Sequence, residues 1–586
     1  MDDSLSEISN PSTGSIEVNY LNDNGYDSTE NQQQSQRRMS NILTRTSTVI
    51  SQLKEDNKFA KTQVSNELPY DPMISNNDND NCDDDLEGFP DSSQNTQQVK
   101  DTGEYNIYDI ENKPPDGGVW AWIATGCVLC INTFSWGLNA CFGVFLNYYT
   151  TTNFFPGARM EQYVMIGGMG LGLSFMTCVI TNGLCRKYNF KLIMYIGTAL
   201  TFLSYWLASI AKTVVQLIMF QGFMMGIGWG LVAGATFMIL PTWFLKKRSV
   251  AQGIATAGGG LGGIIFSRPT DEIIKKYMND PKYANDPHEG LRKGISWALR
   301  MQALVCGAIL LVSVFLIRTY RPLKNDVKKP ILKEMFGFLK RWDLIKQVPI
   351  MCLIIWNMVY GLAYTILLFS LSSYATSIGL SYLQGSNVTT VQSVAQTIGR
   401  PMLGFISDKI GRVNTTCLCT FIIAIFTFCF WIFTTTYSEL LGFAFVIGLF
   451  LGVNWVNFGP MTADVVGGGP ELNHTISLLM FSGGFPLLIA ELAGLKLRRP
   501  QLSNPFLYCQ ILVGVASIIS VACLLPLREW KVSRILNARL KLLQEEKELD
   551  EEKHTSSNHP EIERLEYMLQ SDIYHYLIRM FYPIAV

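Results

Sequence analysis

Twelve apolar stretches, each about as long as a helix that crosses a bilayer, follow one another between residues 119 and 527. They lie near 119–147, 163–184, 191–211, 214–240, 249–269 and 296–317, then near 348–374, 385–406, 413–433, 438–460, 472–495 and 505–526. Backbone in lipid must satisfy its own N–H and C=O groups, and an α-helix does so within a single segment. The interval from Arg318 to Gln347 is the longest and most basic break, and it divides the set six and six. The expected architecture is an all-α membrane protein with twelve transmembrane helices in two six-helix halves.

The entry into the first run is sharply marked. Pro114-Pro115-Asp116-Gly117-Gly118 forces a break, because proline cannot continue a regular helix and glycine permits tight turns. Asp116 is placed to cap the first turn, and Trp120 and Trp122 suit the headgroup level. From Trp120 to Phe145 there is no Asp, Glu, Lys, Arg or His.

The rest of the chain is organised around this core. Residues 1–113 are rich in Asn, Ser, Gln and Asp and include Asp83-Asp84-Asp85. They hold too little apolar surface to offset the entropy of ordering, so a disordered acidic cytoplasmic tail is expected. Asp2, Asp3, Glu7 and Glu17 do not read as part of a cleavable leader. The first half spans 114–317, the basic linker 318–347 and the second half 348–527. Residues 528–586 form a charged cytoplasmic tail, with Arg528 to Lys553 expected as a helix. Its stripe of Ile535, Leu536, Leu540 and Leu543 suits a solvated or membrane-lying element. Arg37-Arg38-Met39-Ser40 has the form of a basic-directed kinase site, so kinase or trafficking partners are the reading for the tails.

Net charge is −1, which says little about partners because the acidic head is offset by basic membrane-flanking loops; no nucleic-acid partner is expected. Of the 13 cysteines, Cys127-x-x-Cys130 and Cys417-x-Cys419 have metal-like spacing, but both pairs sit inside apolar spans without a second pair or a histidine. They read as small apolar residues, and no metal or cofactor is expected. No nucleophile or phosphate loop stands in a catalytic setting, so an enzyme is not expected.

Basic loops stay in the cytoplasm. With both termini inside, the cytoplasmic side holds Arg186-Lys187, Lys246-Lys247-Arg248, the central linker, and Lys409 with Arg412. The interval 270–295 and the group Lys496, Arg498 and Arg499 dissent, but the balance favours this orientation.

Gly258-x-Gly260-x-x-Gly263 has the spacing of a dinucleotide loop, yet no strand precedes it. Inside a membrane helix, small residues instead let backbones approach closely. Gly167, Gly168, Gly170 and Gly172, with Gly222, Gly226, Gly228 and Gly230, give helices 2 and 4 similar faces. These suit surfaces that slide, and rigid packing would explain them equally.

A second motif, Gly404-Phe-Ile-Ser-Asp408-Lys409-Ile-Gly411-Arg412, falls where helix 8 turns into helix 9. Gly411 permits the turn, and Asp408 can pair with a base or a helix N-terminus. The motif resembles the loop of the major facilitator superfamily that stabilises one state of the access cycle. In the first half, Arg186 stands where that pattern has an acid and Asn189 where it has a glycine; Asn tolerates positive φ, which would keep the turn.

Pro115-Asp116-Gly117-Gly118-x-x-Ala121-Trp122, with Phe142-Gly143-Val144-Phe145, resembles the monocarboxylate porter family in its fungal form. Trp243-Phe244-x-Lys246-Lys247-Arg248 and Arg400-Pro401 agree with it, and the resemblance covers about 114 to 527. It implies a symporter or facilitator in which the arginine at 400 binds a substrate carboxylate, with a coupling aspartate one turn earlier. Gln396 occupies that position here, and the helix-1 lysine of the animal carriers falls near Asn139–Ala140. The usual parts of proton coupling are therefore replaced. The remaining acids, Asp271, Asp464 and Glu491, read as interfacial. By resemblance to fungal members the plasma membrane is favoured, with the vacuolar membrane as the alternative.

An arginine in a membrane helix usually faces the bundle interior or a wet path, although Arg400 is also close enough to the helix end to snorkel. Uncharged polar groups recur at spacings of three and four: Asn132, Trp136 and Asn139 in helix 1, Asn357, Tyr360 and Tyr364 in helix 7, and Asn454 and Asn457 in helix 10. The superfamily resemblance puts helices 1, 4, 7 and 10 around the cavity. The expected site is therefore Arg400, Gln396, Asn139, Trp136, Asn357, Tyr364 and Asn457, carrying a small carboxylate or a larger neutral, vitamin-like solute. Hydrogen bonding between helices explains any single asparagine as well. The alternative function is a transporter-derived nutrient sensor that signals through its tails.

Overall fold

The computed structural model describes residues 114–586 except 153, 284–285, 321–335, 468 and 553–559. The acidic head, the Arg37–Ser40 site and much of the central linker lie outside the described residues. The bundle runs α1 (Val119–Thr151), α2 (Met160–Lys187), α3 (Phe190–Ala208), α4 (Val214–Trp243), α5 (Arg248–Met278) and α6 (Pro287–Leu316). The second half follows as α7 (Val348–Ser377), α8 (Tyr382–Ile410), α9 (Arg412–Trp431), α10 (Tyr437–Val466), α11 (Gly469–Leu497) and α12 (Leu507–Glu552). Two short helices, α13 (Pro560–Met568) and α14 (Ile573–Phe581), complete the described chain.

Eleven of the first twelve helices are long and apolar enough to cross a membrane. The remaining one, α8, has the length at 29 residues but carries Gln392, Gln396 and Arg400 on buried positions. It packs against α5, α7 and α10, which accounts for its polarity. Large apolar side chains such as Phe315 and Phe433 are exposed on the outer surface, as a bilayer requires. The protein is a multi-pass integral membrane protein. The side where α8, α10 and the tail meet is called here the tail face, and the opposite side the loop face.

Each half has its own hydrophobic core, and the second also takes in Leu171, Phe175, Cys178 and Val179 of α2 and Phe237 of α4. The halves meet along two seams, α2 against α11 and α5 against α8. Glycines make both seams close. A Cβ at Gly168 would lie 2.7 Å from the Leu488 carbonyl oxygen, one at Gly172 2.9 Å from that of Gly484, and one at Gly260 2.5 Å from that of Ser393. Gly226, Gly228 and Gly230 instead pack within the first half, against α2 and α3.

Asp116 departs from its expected role. The N-cap of α1 is Gly118, with no side-chain cap bond. The Asp116 carboxylate instead accepts the N–H groups of Leu245, Lys246 and Lys247 at 2.6, 2.7 and 3.4 Å, and its own N–H donates to the Trp243 carbonyl at 3.1 Å. Trp122 lies 5.2 Å from Phe244, and the Arg248 guanidinium donates to the Phe244 carbonyl at 2.9 Å. The Gly117-Gly118 entry, Trp122, Lys246 and Arg248 thus belong to one knot that fixes the α4–α5 turn to the start of α1. An Asp116→Ala variant is expected to lose about 1–2 kcal/mol, a capping-sized loss, and to lower the melting midpoint of the detergent-purified protein by a few degrees.

The two loop motifs also differ. Gly411 has φ 109°, and it joins α8 to α9 directly. Asn189 does not use positive φ: at −64° it is extended, and its side chain caps α3 by accepting the Lys191 N–H at 3.0 Å.

The apolar stripe past residue 528 has a partner that the sequence reading did not supply. α12 continues without interruption for 46 residues, and Ile535 and Leu536 share a core with Leu565, Ile584 and Val586 of the following segment. The Arg579 guanidinium bonds the Glu529 carboxylate at 2.6 Å and the carbonyls of Met568 and Gln570 at 2.7 and 2.9 Å. Arg528 donates to the carbonyls of Met580 and Tyr582 and to the Asn414 side chain at 2.7 Å. The N–H of Val413 donates to the Val586 carbonyl at 3.0 Å, which brings the tail against the α8–α9 turn. Arg579→Ala would leave Glu529 buried without its cation, a change that costs about 3–5 kcal/mol. Limited proteolysis of the variant should clip between 560 and 586 well before the wild type, with the membrane helices intact.

Candidate functional site

A cavity between the halves is walled by α1, α2, α4, α5, α7, α8, α10 and α11 and encloses, measured out to its mouth, about 750 Å³ of empty space. Its position follows from local breaks in the helices. α1 is interrupted at Phe134–Trp136, so Trp136 sits at a kink, where its indole donates to Ser174 Oγ at 3.0 Å. α10 is interrupted at Gly452, where Arg400 packs too closely for any side chain.

Arg400 does not snorkel. It is 4% exposed and lines the cavity. Its guanidinium donates to the Thr256 carbonyl of the other half, to Gln396 Oε1 at 2.7 Å and to the Tyr364 hydroxyl at 3.3 Å. Tyr364 in turn donates to Gln396 Oε1 at 3.3 Å. These partners are neutral oxygens, and the charge has no carboxylate among the described residues. The Nε has no partner among the described residues.

Five of the seven expected site residues, Arg400, Gln396, Asn139, Trp136 and Tyr364, line this cavity. Among the described residues neither polar atom of the Asn139 amide has a hydrogen-bond partner, and neither does Oδ1 of Asn132, also in the wall. Asn357 and Asn457 are not in the wall. Asn357 donates to the Leu479 carbonyl at 2.9 Å, and Asn457 to the hydroxyls of Ser407 and Thr416, both at 2.9 Å. These amides tie helices together within the second half.

Three further aromatic residues join the wall, beside aliphatic ones such as Leu171, Leu368 and Leu487. Trp136 stacks on Phe175 at 5.2 Å, Phe175 meets Trp455 at 5.4 Å, and Trp455 meets Tyr364 at 5.3 Å, with Phe237 5.8 Å from Trp136. Phe175, Phe237 and Trp455 escaped the sequence reading. In α10 the sequence favours the face of Asn454 and Asn457, whereas the residue turned to the cavity is Trp455, about 100° from Asn454 and about 160° from Asn457 on a 3.6-residue helix.

At the tail face the halves are clasped. The Asp408 carboxylate accepts the Ser249 and Val250 N–H groups at 3.2 and 3.0 Å, in the first turn of α5, where unpaired N–H groups favour an anion. Arg412 is buried and bonds Asp408 at 3.3 Å, Ser249 Oγ at 3.1 Å, the Leu245 carbonyl at 3.3 Å, and Asp464, which Lys531 also holds at 2.7 Å. Asp464 is therefore part of a buried ion network rather than an interfacial residue. Gly404 allows the contact, since a Cβ there would lie 2.3 Å from the Ser249 carbonyl oxygen. Arg186 is buried at the matching place in the first half, where Asn182 crosses to Ser477 Oγ at 3.3 Å.

Residues 353–543 match the family model described as Major Facilitator Superfamily. The chain is 31% identical over 501 residues to the uncharacterized transporter ESBP6 of Saccharomyces cerevisiae, covering 83% of this chain and 71% of that protein. It is 27% identical over 426 residues to the probable transporter MCH2 of the same yeast, covering 72% and 85%. Among solved structures, FucP in the outward conformation superposes with a TM-score of 0.52 at 14% identity, over 69% of this chain and 98% of that one. The likeness to FucP is one of fold. The sensor alternative finds no support among these relatives.

Proposed function

The chain belongs to the Major Facilitator Superfamily, and we propose that it moves a small monocarboxylate with an apolar or aromatic body by alternating access. One observation carries this reading: a buried guanidinium in the cavity wall whose positive charge is met, among the described residues, by neutral oxygens alone. Burying an unmatched charge is costly, so a cavity built this way favours an anion that completes it. A carboxylate is the natural complement of a guanidinium fork. The surrounding Trp136, Phe175, Phe237, Tyr364 and Trp455 supply apolar and stacking surface for the rest of the solute, and Asn139 supplies an uncommitted amide.

The two seams provide the moving surfaces, with the solute held near the midplane between the halves. The Asp408 clasp secures one end state by engaging the α5 N-terminus across the interface. In this reading the tail face is cytoplasmic, in keeping with its basic loops, and the protein sits in the plasma membrane, the vacuolar membrane being the other setting. Kinase or trafficking partners act at the tails.

The test is uptake by purified protein in lipid vesicles, with labelled lactate, benzoate and the neutral pyridoxine as probes. Saturable uptake of one or both acids is expected. Transport of pyridoxine alone would overturn the carboxylate reading.

A further inference from the structure

α11 carries a carboxyl that the carboxylate site does not use. Glu491 is 7% exposed, and neither of its oxygens has a hydrogen-bond partner among the described residues. It is not at an interface with water, as its closeness to a helix end suggests. α11 begins near the Asp464 network at the tail face, so Glu491 lies toward the loop face. It follows Leu487, a residue of the cavity wall, by one turn, or about 6 Å along the helix.

The carboxyl is wedged into the seam between the halves. A Cβ at Gly167 of α2 would lie 2.7 and 2.9 Å from its two oxygens and 3.0 Å from the Phe142 ring. Leu488, the next helical neighbour, packs on Gly168 and Gly172. No ion pair reaches it among the described residues. α2 brings glycine backbone and, one turn away, Tyr163, whose hydroxyl is engaged by the Phe155 N–H at 3.1 Å. α7 brings Ile366 and Ser370 beside Gly494, and α12 brings Cys509, whose thiol donates to the Gly494 carbonyl. Of the cations in this part of the chain, Lys496 is exposed and Arg498 lies over the Phe506 ring.

Beyond the nearby Gly168 backbone N–H, a negative charge at this point has no offset among the described residues while the seam is shut, and the penalty for a buried ion is several kcal/mol. If α2 and α11 part on the loop face, water reaches the same oxygens. The charge state of the carboxyl and the state of the seam are then linked, because each arrangement solvates the charge differently. We propose that Glu491 is the proton-binding group of the transport cycle. It carries a proton while the seam is closed and exchanges it with water on the loop face when the halves separate there. Proton coupling thus moves from the position held by Gln396 to a place one turn from the cavity on the opposite half-interface.

This inference rests on the transport reading, and two measurements on full-length protein in vesicles separate them. Infrared difference spectra taken across a pH series should show a protonated-carboxyl C=O band that is absent from Glu491→Gln and shifted in Glu491→Asp. With labelled lactate as probe, an imposed gradient of one pH unit should drive accumulation of up to roughly tenfold in the wild type. In Glu491→Gln the accumulation ratio should fall to one, while lactate–lactate exchange at equal pH continues. A band that persists in Glu491→Gln, or accumulation that survives it, overturns the proposal. If the wild type moves lactate under no condition, the transport of that acid fails, and the infrared band alone decides the role of Glu491.

Discussion

Uptake of the carried carboxylate should fall roughly 10- to 150-fold when Arg400 is replaced by Gln, because a charge-assisted hydrogen bond contributes about 1.5–3 kcal/mol. The glutamine keeps amide donors in the wall but removes the charge that now faces Gln396, Tyr364 and the Thr256 carbonyl. Removing an unmatched buried charge should leave the folded protein as stable as the wild type or more so, which separates loss of binding from loss of fold. Arg400→Lys should recover only part of the activity, since an ammonium lacks the planar fork. Initial uptake rates across a concentration series, read beside the melting midpoint of each variant, make the comparison. Uptake within twofold of the wild type in Arg400→Gln would remove this residue from the site.

Gly404→Val should reduce transport to the background of empty vesicles. The added Cβ would meet the Ser249 carbonyl oxygen at 2.3 Å, its carbon at 2.9 Å and the Val250 Cα at 3.0 Å. All three are backbone atoms, so no rotamer change relieves the contact, and overpacking of this kind costs at least 1–3 kcal/mol. The clash falls on the turn that Asp408 and Arg412 secure, and so acts on the closed tail face rather than on either half alone. A cysteine at Ser393, in the cavity wall, should then react with a membrane-impermeant reagent from the tail face, at a rate above that of the native thiols. In the otherwise unmodified protein that cysteine should be protected from this side. Protection that survives the valine would show that the clasp closes without the Gly404 approach.

Helix positions were legible in the sequence because lipid imposes the same local demand on every span: enough apolar residues, and few charges. Arg400 was legible for the converse reason, as a charge where lipid tolerates none. What the sequence left open is what depends on distant partners. Asp116 looks like a local cap, yet the N–H donors it accepts from lie in a turn beginning 129 residues away. The stripe of Ile535 and Leu536 was visible, but the surface that covers it is the following segment of the same chain. Trp455 carries no signal that separates it from any other aromatic in an apolar helix, and only the rotation of α10 brings it to the cavity while Asn457 turns away. Glu491 stands near a helix end on paper, and it is sealed because α2 presents glycine backbone at that level.

The unbroken course of α12 has a practical consequence. Forty-six residues of continuous helix give a rod of about 69 Å, far longer than the bilayer is thick. The part beyond the membrane, braced near the middle of the helix by Arg528 and by Arg579 on Glu529, works as a pointer carried by the second half. A dye placed near residue 545 would sweep through an arc larger than any displacement at the cavity itself. Energy transfer from that dye to one on the α4–α5 turn would follow single turnovers in real time without touching the solute.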